Sequence, residues 1–147
     1  MPDFIAATSP RGHYEAEACI FWCYDARFSG AYEVFLRDRG FRLDRIDLVK
    51  GAGGAQPLAA EAGFERDAAR AELAKSIKLH RTSRVILMVH MDCGAYGGSA
   101  AFGGDHGAEW DHHAAELDRA AEYVKSEFAE IRDIDRWIAD FDGVTRL

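Results

Sequence analysis

The chain has 147 residues, 48% of them apolar and 29% charged, a composition that suits one globular domain long enough to bury a core. A net charge of −7 without any basic run argues against nucleic acid or an anionic membrane surface as a partner. The apolar runs ACIFWCY and VILMVHM are too short to span a bilayer. The amino terminus lacks the basic-then-apolar order of an export signal, so a single cytoplasmic domain over 1–147 is expected.

Residues 1–16 mix prolines with polar residues and read as a short amino-terminal arm. From about Ala18 to Cys23 the run is continuously apolar, as in a strand covered on both faces. Ser29 is placed to cap a helix that carries Tyr32, Phe35 and Leu36 on one face and stops at Gly40. A second strand is expected around Arg45 to Lys50, followed by the glycine-rich turn KGAGGAQP. A helix over about Glu65 to His80 sets Leu73 and Ile77 one turn apart.

RVILMVH is aliphatic on both faces and reads as the central strand. MDCGAYGGSAAFGGDHG carries too much glycine to be regular throughout. A helix resumes near Ala108 and runs to about Ile131, with Trp110, Leu117, Ala121, Val124 and Phe128 as its stripe. RWIADFDGVTRL reads as a last strand ending in a turn at Asp142-Gly143. Strand and helix alternate, which predicts an α/β fold: a mainly parallel central sheet of about four to five strands, flanked by helices and joined by right-handed crossovers.

Two of these strands end in reactive residues. The first runs into Cys23-x-Asp25-x-Arg27 and the central one into His90-x-x-Cys93. Ligands of parallel sheets collect at the carboxyl ends of strands, so both groups lie at the edge where a site belongs. Cys23, His90 and Cys93 offer two thiolates and an imidazole, the soft-to-borderline set that suits tetrahedral Zn2+ with a fourth position open. Three cysteines in a chain without an export signal fit a metal or catalytic role better than a disulfide framework. Cys19 reads as a small inert core residue.

CYDAR followed far downstream by HMDCGA resembles the β-class carbonic anhydrases, whose hallmark is C-x-D-x-R paired with H-x-x-C-G. The resemblance covers roughly Ala18 to Tyr96 and, more loosely, the last helix and strand. LVKGAGG stands where that family carries an R-N-A-G-type loop, although the asparagine is absent here. It implies that Cys23, His90 and Cys93 bind Zn2+ and that Asp25 and Arg27 form a catalytic dyad. The implied reaction is reversible hydration of carbon dioxide to bicarbonate by zinc-bound hydroxide, in a homodimer or higher even oligomer. The arm is short beside the helices with which relatives embrace a partner subunit. Carbon disulfide and carbonyl sulfide hydrolases share the paired motifs and give an alternative reaction. A noncatalytic zinc-binding or thiol-sensing module gives a third reading.

Elementary chemistry agrees with the implied roles. Zinc can lower the pKa of a water from near 16 to about 7. Two thiolates donate more charge than neutral imidazoles and weaken that acidification. Asp25 can accept the hydroxide's hydrogen bond, and Arg27 can hold Asp25 off the metal by a two-pronged ion pair.

Residues 97–113 read as an unusual insertion after the second motif, rich in glycine and carrying His106, Glu109, Asp111, His112 and His113. His106 or His112 would suit a proton shuttle, since imidazole titrates near neutrality. The competing reading is a solvated loop and helix start, and a second metal held by His and acidic groups is a further option.

Overall fold

A computed structural model describes residues 2–147, so residue 1 of the expected arm lies outside the described residues. Every side chain of β1 (Ala18–Trp22) is buried. Cys19 and Phe21 enter one apolar cluster, whereas Ala18, Ile20 and Trp22 enter another on the opposite face. β3 (Arg84–His90) divides in the same way, with Val85, Leu87 and Val89 on one side and Ile86 and Met88 on the other. This is the period-two alternation of a strand with helices on both faces. Burying one such aliphatic side chain stabilises the fold by about 1.5–3 kcal/mol.

β1 pairs in parallel with β2 (Ile46–Lys50) on one side and β3 on the other, and β3 pairs in parallel with β4 (Asp133–Asp140). The full order is β2-β1-β3-β4-β5, with β5 (Gly143–Arg146) antiparallel to β4. The carboxyl-terminal segment therefore corrects the sequence reading. Asp142 belongs to a tight hairpin link, and the chain returns as a fifth strand rather than ending there. Arg146 lies opposite Trp137 and reaches the buried Asp135, which Arg84 also contacts.

α1 (Ser29–Arg39) covers one face with Tyr32, Phe35 and Leu36, and stops at Gly40 in the left-handed conformation. Its start differs from expectation. A 3-10 turn at residues 26–28 precedes it, and the Asp25 side chain caps that turn by accepting the Arg27 N–H at 3.0 Å. Ser29 is thus the first residue of α1, its N–H closes the 3-10 turn onto the Ala26 carbonyl, and no side chain caps α1.

α2 (Gln56–Ala59), α3 (Phe64–His80) and α4 (His106–Glu127) lie on the other face, where Leu58, Leu73, Leu117 and Val124 are fully buried. α4 begins at His106, earlier than expected, because Asp105 accepts the Ala108 N–H. It also ends earlier, at Glu127. Glu109 and His113 join its buried face, with Trp110 and Ala121 partly buried beside them. The described residues of the arm form no helix or strand, but Tyr14 ties it to Asp47 on β2.

Candidate metal centre

The chain steps outward from β1 to β2 and then back across to β3, so β1 and β3 end side by side where the strand order reverses. Cys23 follows β1, His90 closes β3, and Cys93 lies one tight turn later. One ligand atom from each of the three falls within 4.8 Å of the others, and all three residues are buried.

A glycine loop clamps the two strand ends together. Gly51 N–H donates to the Trp22 carbonyl and Ala55 N–H to the Met88 carbonyl. Gly54 sits between them at φ +60°, where a Cβ would lie 2.3 Å from the Met88 oxygen and 3.1 Å from the Cys23 nitrogen. Only glycine fits that approach.

The imidazole of His90 is fixed on two sides. Phe28 stacks on it with centroids 4.3 Å apart, and its Nδ1 lies 2.7 Å from the Met91 carbonyl. A carbonyl only accepts, so Nδ1 carries the proton and Nε2 presents a lone pair. Nε2 is buried and has no hydrogen-bond partner. Leaving such an atom unpaired costs about 1–3 kcal/mol. Burial also lowers the His90 pKa, which favours the neutral, ligating ring.

Burial raises the Cys93 thiol, and the neighbouring Cys23 raises it further, against backbone hydrogen bonds from Ala95 and Gly53. Two thiols this close ionise together only beside a cation. Two sulfurs and an unpartnered imidazole nitrogen therefore fit a zinc ion. Cys19, by contrast, is fully buried and pushed up to about 12 by burial, as suits an inert core thiol. Tyr32, which sequence reading left to the core, has a buried hydroxyl without a partner; burial raises its pKa, and charge on Cys23 and Cys93 raises it next.

Asp25 and Arg27 form a fork. Arg27 Nη2 donates to Asp25 Oδ2 at 2.7 Å, and Nε lies 3.1 Å from both oxygens. These hydrogen bonds hold the Asp25 carboxyl at about pKa 2. Asp25 Oδ2 is 3.8 Å from His90 Nε2, so the carboxylate borders that unpartnered nitrogen.

The far side of the guanidinium is held by a residue that sequence reading passed over. Arg27 Nη1 donates to Asp92 Oδ2 and Nη2 to the Asp92 carbonyl, both at 3.0 Å. Asp92 is left-handed, with φ +56°, a conformation that tertiary contacts must hold. The available signal was its position between His90 and Cys93.

His106 and His112 are exposed, and neither hydrogen-bonds to the ligand set or to Asp25 and Arg27. His106 Nε2 lies 2.6 Å from Asp140 Oδ2 at the end of β4, and that hydrogen bond raises its pKa. His112 packs against the rings of Tyr96 and Phe102. Among the described residues, Cys23, His90 and Cys93 form the one group of three donors close enough to share a metal, so no second metal cluster accompanies them.

A five-stranded, mostly parallel sheet with two thiols and an imidazole at its switch point has the architecture of a β-carbonic anhydrase. The family model described as "Putative carbonic anhydrase" matches residues 14–146, and the chain belongs to that family. No curated protein sequence matches the chain. Among solved structures it is similar to β-carbonic anhydrase isoform I of Trichomonas vaginalis, with TM-score 0.57 and 16% identity over 96% of this chain and 87% of that one. A carbonic anhydrase from Glaciozyma antarctica gives TM-score 0.54 and 20% identity over 91% and 83%. A carbon disulfide hydrolase gives 0.51 and 13% over 90% and 79%. At these identities the likeness is one of fold.

Proposed function

We propose that the protein is a zinc enzyme that hydrates carbon dioxide reversibly to bicarbonate. The observation that carries the reading is the convergence of Cys23, Cys93 and the buried, unpartnered Nε2 of His90 at the switch point. These three residues would hold the ion. When bound, zinc supplies a Lewis acid that brings the pKa of a water toward neutrality.

The protein groups do the rest. Asp25 is ionised across the working pH range and accepts the hydrogen bond of the nucleophile, turning an oxygen lone pair toward the substrate carbon. Its low pKa makes it a poor store for a proton, so the proton released in each turnover must pass to another base. His106, raised by Asp140, and His112 are the proposed relays to solvent. Arg27 holds both Asp25 oxygens and keeps the carboxylate from swinging onto the metal.

One domain in an even oligomer is part of the proposal, and two similar β-carbonic anhydrases from Sordaria macrospora are tetrameric. No helix among the described residues is long and apolar enough to cross a membrane.

Metal analysis combined with a stopped-flow hydration assay tests the reading. One zinc per chain with rapid hydration supports it. Zinc with turnover of carbon disulfide or carbonyl sulfide alone replaces the substrate. Zinc with no turnover leaves a binding module, and a Cys23–Cys93 disulfide without metal leaves a thiol sensor.

A further inference from the structure

Glu109 is an acid on the first turns of α4 and is only 1% exposed. Its Oε1 accepts the backbone N–H of Asp92 at 2.5 Å, and its Oε2 accepts the Ser99 hydroxyl at 2.6 Å. Ser99 N–H returns to Asp92 Oδ1 at 2.9 Å, which closes a ring of three residues. Gly98 leaves room for it, since a Cβ there would meet that same Asp92 oxygen at 3.0 Å. The ring holds the left-handed Asp92, whose other carboxylate oxygen and carbonyl grip Arg27. The remaining polar neighbour, the fully buried His113, has its Nε2 3.5 Å from Glu109 Oε1.

We infer that Glu109 is a positioning residue for the Asp25–Arg27 pair. Through the Asp92 backbone it sets the guanidinium whose fork holds both Asp25 oxygens. The kinetic part of this inference rests on the proposed hydration chemistry; the geometric part does not.

The test compares Glu109→Ala with Glu109→Gln, each loaded with zinc for kinetics and with cobalt(II) for visible spectroscopy. Glutamine preserves the ring, because its carbonyl accepts from Asp92 and its amide donates to the Ser99 oxygen. Glu109→Ala is expected to keep one metal per chain, lose about 10-fold in kcat and shift the cobalt bands, whereas Glu109→Gln stays within about twofold with unshifted bands. A wild-type kcat and spectrum in Glu109→Ala would overturn the inference, as would equal impairment of both variants. If Glu109→Ala does not fold, Glu109→Asp carries the comparison, since it keeps the charge and withdraws the oxygens by one methylene. Unshifted cobalt bands in that variant also overturn it. Absence of hydration in the wild type would defeat the proposed reaction, yet the cobalt spectra would still decide this point.

Discussion

Two polar clusters lie at opposite ends of the sheet, and they are finished to different degrees. At the amino end of β2, Asp47 Oδ1 accepts from Tyr14 at 2.5 Å, and Oδ2 accepts from Ser76 and His80 at 2.7 Å each. Ser76 in turn meets the buried Thr82. At the carboxyl end, His90 Nε2 has no hydrogen-bond partner, and the thiols of Cys23 and Cys93 lie within 4.8 Å of the imidazole. A satisfied buried cluster ties elements together, whereas converging soft donors with a free lone pair can take a ligand. The first fastens the arm, β2 and α3; the second is the candidate metal centre.

Substitutions should separate the two ends. The largest effect is expected from Cys93→Ser, which removes a soft ligand: metal analysis should show zinc lost, and hydration should fall to background. Zinc retained with full turnover would remove the centre from the proposal. Next comes Arg27→Lys, which keeps the charge and loses the fork. Its kcat should drop by roughly 100-fold at unchanged zinc content, given how much a misplaced catalytic group costs.

Asp47→Ala should do the opposite. It leaves Tyr14, Ser76 and His80 without their acceptor, so urea denaturation should show a loss of about 1–3 kcal/mol while kcat holds. Burial pushes the Asp47 carboxyl up, but the bonds from Tyr14, His80 and Ser76 together hold it below its ordinary value. A depressed folded pKa contributes stability above the unfolded value of about 3.9, and that contribution fades as pH falls further. The gap between wild type and Asp47→Ala should therefore be full above about pH 4 and narrow on acidification. A gap that grows in acid would contradict the assignment.

The smallest effect is expected at His106. His106→Ala, alone or with His112→Ala, should slow turnover by a small factor at low buffer concentration, with recovery on adding imidazole buffer. Unchanged turnover removes the relay.

Sequence and structure agree best where burial and chemistry meet on one strand. The apolar runs of β1 and β3, each ending in reactive residues, announced both the parallel sheet and the Cys23, His90 and Cys93 set that the fold brings together. Gly40 ended α1 because a left-handed residue is a local property. The misses are tertiary. Ser29 had the right chemistry for a cap, but Asp25 starts a 3-10 turn earlier because Arg27 turns back onto it. β5 is a short polar strand whose case depends on pairing with β4 and on reaching Asp135.

In the sequence, Glu109 stands among the acidic and histidine residues of 97–113, read as a solvated loop and helix start or as donors to a second metal. Helical spacing puts it on the buried face with His113 and Leu117, and there its carboxylate accepts the N–H of Asp92, 17 residues away in sequence. No periodicity encodes that contact. Asp92 was hidden in plain view, because its value lies in a backbone angle rather than in its side chain alone.

Gly54 carries one last consequence. A methyl group there would collide with main-chain atoms of the two strand ends that carry Cys23 and His90, not with side chains able to swing aside. Position 54 therefore behaves as a keystone without chemistry of its own: a single added carbon would press on the backbone that carries Cys23 and leads into His90. Anyone altering the surroundings of the candidate centre should leave that residue alone and begin at the exposed Phe141 beside Arg27.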